Sequence, residues 1–107
     1  MELSPIDPML YAMLATRALT HMIRDEHEAA ACWGDEAARS PGAHALVALI
    51  AAACHVLNGD LEKAKAWART ARSRDPVIDA ARFFRAFPFE DRDTRDRIAA
   101  ALSRLDI

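Results

Sequence analysis

Four histidines, two cysteines and a scatter of carboxylates are the residues of this chain that could do chemistry. His21, His27, His44, His55, Cys32 and Cys54 are the candidate metal ligands, bases and nucleophiles. Zinc takes its ligands at short spacings such as Cys-x-x-Cys, or as histidines one helical turn apart, so that two of them reach one ion. The chain offers neither. Cys54 and His55 are neighbours in sequence, but on a helix adjacent side chains point about 100° apart, which leaves no thiolate–imidazole pair. Glu26, Glu28, Asp35 and Glu36 share a stretch whose other side is alanine, and Glu90, Asp91 and Asp93 sit where acidic residues complement the positive end of a helix. Paired carboxylates do acid–base work only when burial splits their pKa values, and these read as exposed. Gly34, Gly42 and Gly59 stand far apart and form no phosphate loop. The expectation is a non-enzyme with no catalytic residue, no metal and no cofactor. Its rival is a small helical enzyme or ligand-binding domain without a recognisable constellation.

The histidines carry a different signal. His21 and His55 lie 34 residues apart, and Ala18, Glu28, Ala30, Trp33 and Ala37 recur at the same offset as Ala52, Glu62, Ala64, Trp67 and Ala71. Alanine matches arise by chance in an alanine-rich chain; a paired Trp, His and Glu in one register do not. A period of about 34 residues is the length of one helix–turn–helix repeat unit. The two histidines are then packing residues that hydrogen-bond between helices, and the two tryptophans pack between units.

Punctuation divides the chain into about six helices. Asp7-Pro8 supplies an N-cap and a first-turn proline, and the apolar pattern that follows predicts helix one to about Arg24. Helix two is predicted from about Glu26 to Arg39, where Ser40-Pro41-Gly42 ends it. The apolar run from Ala43 to Leu57 gives helix three; it is shorter than the roughly 20 residues that span a bilayer, so it reads as a central buried helix. Asn58-Gly59 permits a left-handed C-cap and Asp60 caps helix four, about Leu61 to Arg74. Asp75-Pro76 repeats the start signal for helix five, about Val77 to Phe87, and helix six runs from Asp91 to Thr94 as far as Leu105.

The 107 residues make one domain, residues 1–107, with units of about 9–42 and 43–76 and a partial unit plus capping helix over 77–107. A formal charge of −2 gives no general attraction to nucleic acid or to an anionic membrane, and the arginines from Arg69 to Arg97 read as a solvated face. Two cysteines are too few for a disulfide framework and read as reduced core thiols. Met1 to Pro8 lacks the basic–apolar–small pattern of a signal peptide. The expected localisation is cytoplasmic.

The stretch Asn58-Gly59-Asp60-Leu61-Glu62-Lys63-Ala64, continued by Trp67, Ala71, Asp75 and Pro76, resembles a tetratricopeptide repeat. The earlier unit departs from that pattern: Asp25 stands where the turn glycine is usual, and Gly34 falls in mid-helix. The resemblance implies an all-α fold of antiparallel helix pairs stacked as a short right-handed superhelix. Leu3-Ser4-Pro5-Ile6-Asp7-Pro8, with Phe83-Phe84-Arg85-Ala86-Phe87-Pro88-Phe89, is further similar to the C-terminal repeat region of bacterial signalling proteins that join such arrays to winged-helix transcription regulators or nucleotide cyclases. That likeness implies a scaffolding or regulatory segment.

The repeat register also names an inner, concave face. Ala15, Leu19, Met22, Leu46, Leu49, Ala53, Val56, Phe83 and Phe87 line it as the partner-binding candidates. Family members that grip a peptide's C-terminal carboxylate use Lys and Asn on these helices, and the apolar residues here argue against such a clamp. An apolar groove on so short an array must be covered: by helix six folding back, by a second copy in a homodimer, or by a partner protein or peptide helix. If a partner lies there, Leu49→Asp is expected to abolish its capture while the domain stays helical.

Overall fold

The computed structural model describes residues 8–40 and 43–107. The chain is all-α, with six helices in the described residues: α1 (Pro8–Ile23), α2 (His27–Arg39), α3 (Ala45–Leu57), α4 (Leu61–Arg74), α5 (Ala80–Ala86) and α6 (Arg92–Ser103). Consecutive helices α1 to α4 pack as antiparallel neighbours, α1 also touches α3, and α6 packs on α3. Leu3 to Asp7, Pro41 and Gly42, which carry part of the sequence argument, lie outside the described residues.

α3 is the hub. All of its residues except Leu46 and Leu57 are buried, as an apolar helix surrounded by neighbours must be. Helices approach one another closely only where one presents a small side chain, and the repeating alanines meet that need. Ala18 and Ala52, Ala30 and Ala64, and Ala37 and Ala71 are all 0% exposed. Gly34 belongs to the same device: a Cβ there would stand 3.1 Å from the α3 backbone at Ala51 Cα. The mid-helix glycine thus marks a close α2–α3 approach. Ala64→Leu is expected to cost about 1–3 kcal/mol by overpacking, read from a urea titration.

The two inter-helix turns coincide bond for bond at the 34-residue offset. Arg24 N donates to Thr20 O and Asn58 N to Cys54 O; Asp25 N donates to Met22 O and Gly59 N to Val56 O; Glu26 N donates to His21 O and Asp60 N to His55 O. Each turn needs one left-handed residue, supplied by Asp25 at φ 60° and Gly59 at φ 80°. Asp60 Oδ1 then caps α4 by accepting from Lys63 N at 3.2 Å.

The third segment departs from its expected boundaries. α5 begins at Ala80, capped by Asp79, whose Oδ1 accepts from Arg82 N at 2.9 Å. Asp75 does not start a helix; its carboxylate accepts from Val77 N at 3.3 Å and pairs with Arg82 at 2.9 Å, which holds residues 76–79 as a turn. Of the four phenylalanines, Phe83 is fully buried, packed against the rings of Phe84 and Phe87. Phe84 is half-buried beneath the guanidinium of Arg95 on α6, which joins the two last helices. No helix among the described residues is long and apolar enough to cross a membrane.

Candidate functional site

α3 and α4 bring together the only histidine that the fold buries among the described residues and one tryptophan, on a carboxylate supplied by α2. Asp35 Oδ1 accepts from His55 Nε2 at 2.7 Å and from Trp67 Nε1 at 2.8 Å, so one oxygen ties three helices together. His55 is 3% exposed. Its repeat counterpart does different work: His21 Nδ1 meets Glu26 at 2.8 Å across the α1–α2 turn. The expectation that the recurring histidines hydrogen-bond between helices therefore holds for His55, with a partner that the repeat register could not supply, because Asp35 aligns with Arg69. Trp67 packs between the two units as expected, while Trp33 is half-buried under the Arg17 guanidinium.

The cysteines separate. Cys54 is buried, and burial together with the nearby Asp35 carboxylate pushes its thiol well above the usual range. Cys32, expected in the core, is instead exposed. It lies on the outer face of α2, where the helix has no neighbour to bury it. A thiol reagent is expected to label one cysteine, Cys32, rapidly in the native protein and Cys54 only on unfolding, which peptide mapping after timed labelling would check. Among the described residues no group of three or more His, Cys, Asp or Glu side chains is arranged to hold a metal ion.

The anticipated groove is mostly interior. Ala15, Met22, Leu49, Ala53, Val56 and Phe83 are buried, leaving Leu19, Leu46 and Phe87 half-exposed. Met22, Leu49, Ala53, Val56 and Phe83 are core, not a free docking surface, and α6 supplies part of their cover. Its Ile98 and Leu102 join the cluster that holds Met22, Leu49, Ala53 and Phe83, while its Ala101, with Leu105 in the turn that follows, joins Val56, Ala64 and Ala68. Of the three ways to cover the groove, helix six folding back is the one present.

What stays open is a cleft of about 340 Å³ between α1 and α3, lined by Tyr11, Ala12, Ala15, Thr16, Leu19, His44, Val47 and Phe87. Ala15, Leu19 and Phe87 came from the repeat register; Tyr11, His44 and Val47 did not. Tyr11 meets the His44 ring edge-on at 5.6 Å, which closes one end of the cleft. Thr16 spends its hydroxyl on Ala12 O at 2.9 Å, so the wall it forms is largely apolar. Leu46 lies instead beside a second depression at the α3 N-terminus, with Arg74, Asp75 and Arg82, where Asp75 and Arg82 already pair with each other.

Fold and cleft together define a small helical bundle with an apolar cleft between α1 and α3. No family model matches the sequence, and no curated protein and no solved structure matches it either.

Proposed function

We propose that the chain is a non-catalytic protein-interaction module of tetratricopeptide type that receives an apolar side chain or helix edge of a partner protein in the cleft between α1 and α3. The observation that supports it most is the cleft's composition: Leu19, Val47 and Phe87 face an opening with no charged side chain in its wall. Contiguous exposed apolar surface favours association, and clustered aliphatic and aromatic side chains accept leucine- or phenylalanine-type anchors. The regulatory setting carried by the resemblance, a segment of a bacterial transcription or cyclase signalling system in the cytoplasm, is part of the same proposal, as is self-association as the competing use of the face.

Leu49→Asp does not test this reading, because Leu49 is fully buried. Leu19→Asp does. Leu19 is half-buried on the cleft rim, so the variant is expected to keep its helical circular dichroism and to lose at least tenfold of the partner recovered by affinity capture and mass spectrometry. Undiminished capture would exclude the cleft. Light scattering of the wild type separates the two uses: a mass that rises with concentration and falls back to the monomer in Leu19→Asp would make the face a homodimer surface.

A further inference from the structure

α6 lies on the apolar face of α3 in the manner of a bound ligand. Its inward residues, Thr94, Ile98, Leu102 and Leu105, follow helical spacing and are buried, whereas Arg92, Asp93, Arg95, Asp96 and Arg104 face solvent. That is the pattern by which an amphipathic helix seats in a groove. Two polar contacts fasten it. Midway along the helix, Arg97 reaches across to the Asp25 carboxylate in the α1–α2 turn, oriented by Asp93 Oδ2 at 3.3 Å and Thr94 Oγ1 at 3.3 Å. Just past its C-terminus, Arg72 of α4 donates to the carbonyls of Leu105 at 2.6 Å and Asp106 at 3.0 Å.

Asp25 is the telling residue. Gly59 fills the equivalent turn position in the second unit at φ 80°, and Asp25 adopts φ 60°, where an L side chain is strained and glycine is not. Strain kept at a position glycine would relieve points to a role for the side chain. The carboxylate supplies one: it holds Arg97, with His27 Nε2 4.0 Å away on its other side.

We propose that α6 is a self-docked helix standing in for a partner helix of the same spacing, an arginine followed by apolar residues at the next, fifth and eighth positions, and that Asp25–Arg97 is the latch that keeps it in place. This rests on the reading of the chain as a protein-interaction module but concerns the covered face, not the open cleft. Among the described residues α6 packs mainly on α3, with smaller contacts to Ala64 and Ala68 of α4, and both fastenings involve partly exposed groups, so α6 can leave while the α1–α2, α2–α3 and α3–α4 contacts remain. A partner helix competing with a docked segment binds more weakly by the fraction of time the face is free.

The test uses the full chain and a fluorescent peptide of residues 90–107. Asp25→Gly removes the latch while relieving the turn, so it is expected to leave the thermal midpoint within a few degrees of wild type. It is also expected to speed hydrogen exchange of α6 amides but not those of α3. Combined with Arg72→Ala, it is expected to raise peptide affinity by about fivefold or more over wild type, since two weak fastenings are gone. The peptide carrying Arg97→Ala is expected to bind the Arg72→Ala single variant, which keeps Asp25, at least about twofold more weakly than the parent peptide. Equal exchange protection in α6 and α3, or no peptide binding to the double variant, would show α6 to be integral core and overturn the proposal. A dimer formed by the double variant without peptide would overturn it in favour of exchange of α6 between copies. If the peptide result holds while Leu19→Asp leaves partner capture intact, only the open-cleft reading fails.

Discussion

Asp35→Ala is expected to lower the unfolding free energy by about 2–4 kcal/mol, one of the two largest single losses available in this chain. The carboxylate oxygen accepts from His55 and from Trp67, and its side chain is 16% exposed. Removing it leaves two donors facing a protein interior, and each orphaned group costs about 1–3 kcal/mol. Water reaching the vacated edge reduces the sum, which is why the lower half of that range is used. The sign of the asymmetry can be checked in the same experiment. Trp67→Phe added to Asp35→Ala deletes one orphan, so the double variant should be more stable than the sum of the single losses by about 1 kcal/mol. Urea titrations of the four proteins give the cycle. A loss under 1 kcal/mol in Asp35→Ala would mean that the bridge is decoration on an alanine-packed bundle.

Leu49→Asp is expected to abolish the cooperative fold at neutral pH. Leu49 is 0% exposed in the cluster that also holds Ile98, Leu102 and Phe83. The substitution forfeits about 2–3 kcal/mol of apolar burial and places a carboxylate where no donor or cation meets it, a further several kcal/mol. Together these approach the whole stability of a typical domain, about 5–15 kcal/mol. Circular dichroism should show no thermal transition, in contrast to Leu19→Asp on the cleft rim, whose loss is expected at about 1 kcal/mol or less. A folded Leu49→Asp protein would mean that α6 does not seal this face.

Much of the fold was legible because it is local. Six helices follow from capping residues, prolines and apolar periodicity, and the boundaries of α4 match to the residue. The α5 start was misplaced because Asp75-Pro76 and Asp79 both look like caps, and the choice fell to Arg82, whose backbone N–H bonds Asp79 while its guanidinium draws Asp75 into the preceding turn. The candidate site was legible only in part. Ala15, Leu19 and Phe87 line the open cleft, but Tyr11 and His44 join it through the way the N-terminus of α3 meets α1, for which no spacing rule exists.

The sequence by itself determined the helices, the 34-residue register, the left-handed turn at Gly59 and the alanine positions that recur with the repeat, since each depends on backbone preference or side-chain size within a few residues. Tertiary structure alone decided that Asp35 joins His55 to Trp67 and that Arg97 of α6 reaches Asp25, 72 positions earlier. Such pairings depend on where whole helices come to rest, which the summed burial of many apolar side chains sets and no single motif encodes.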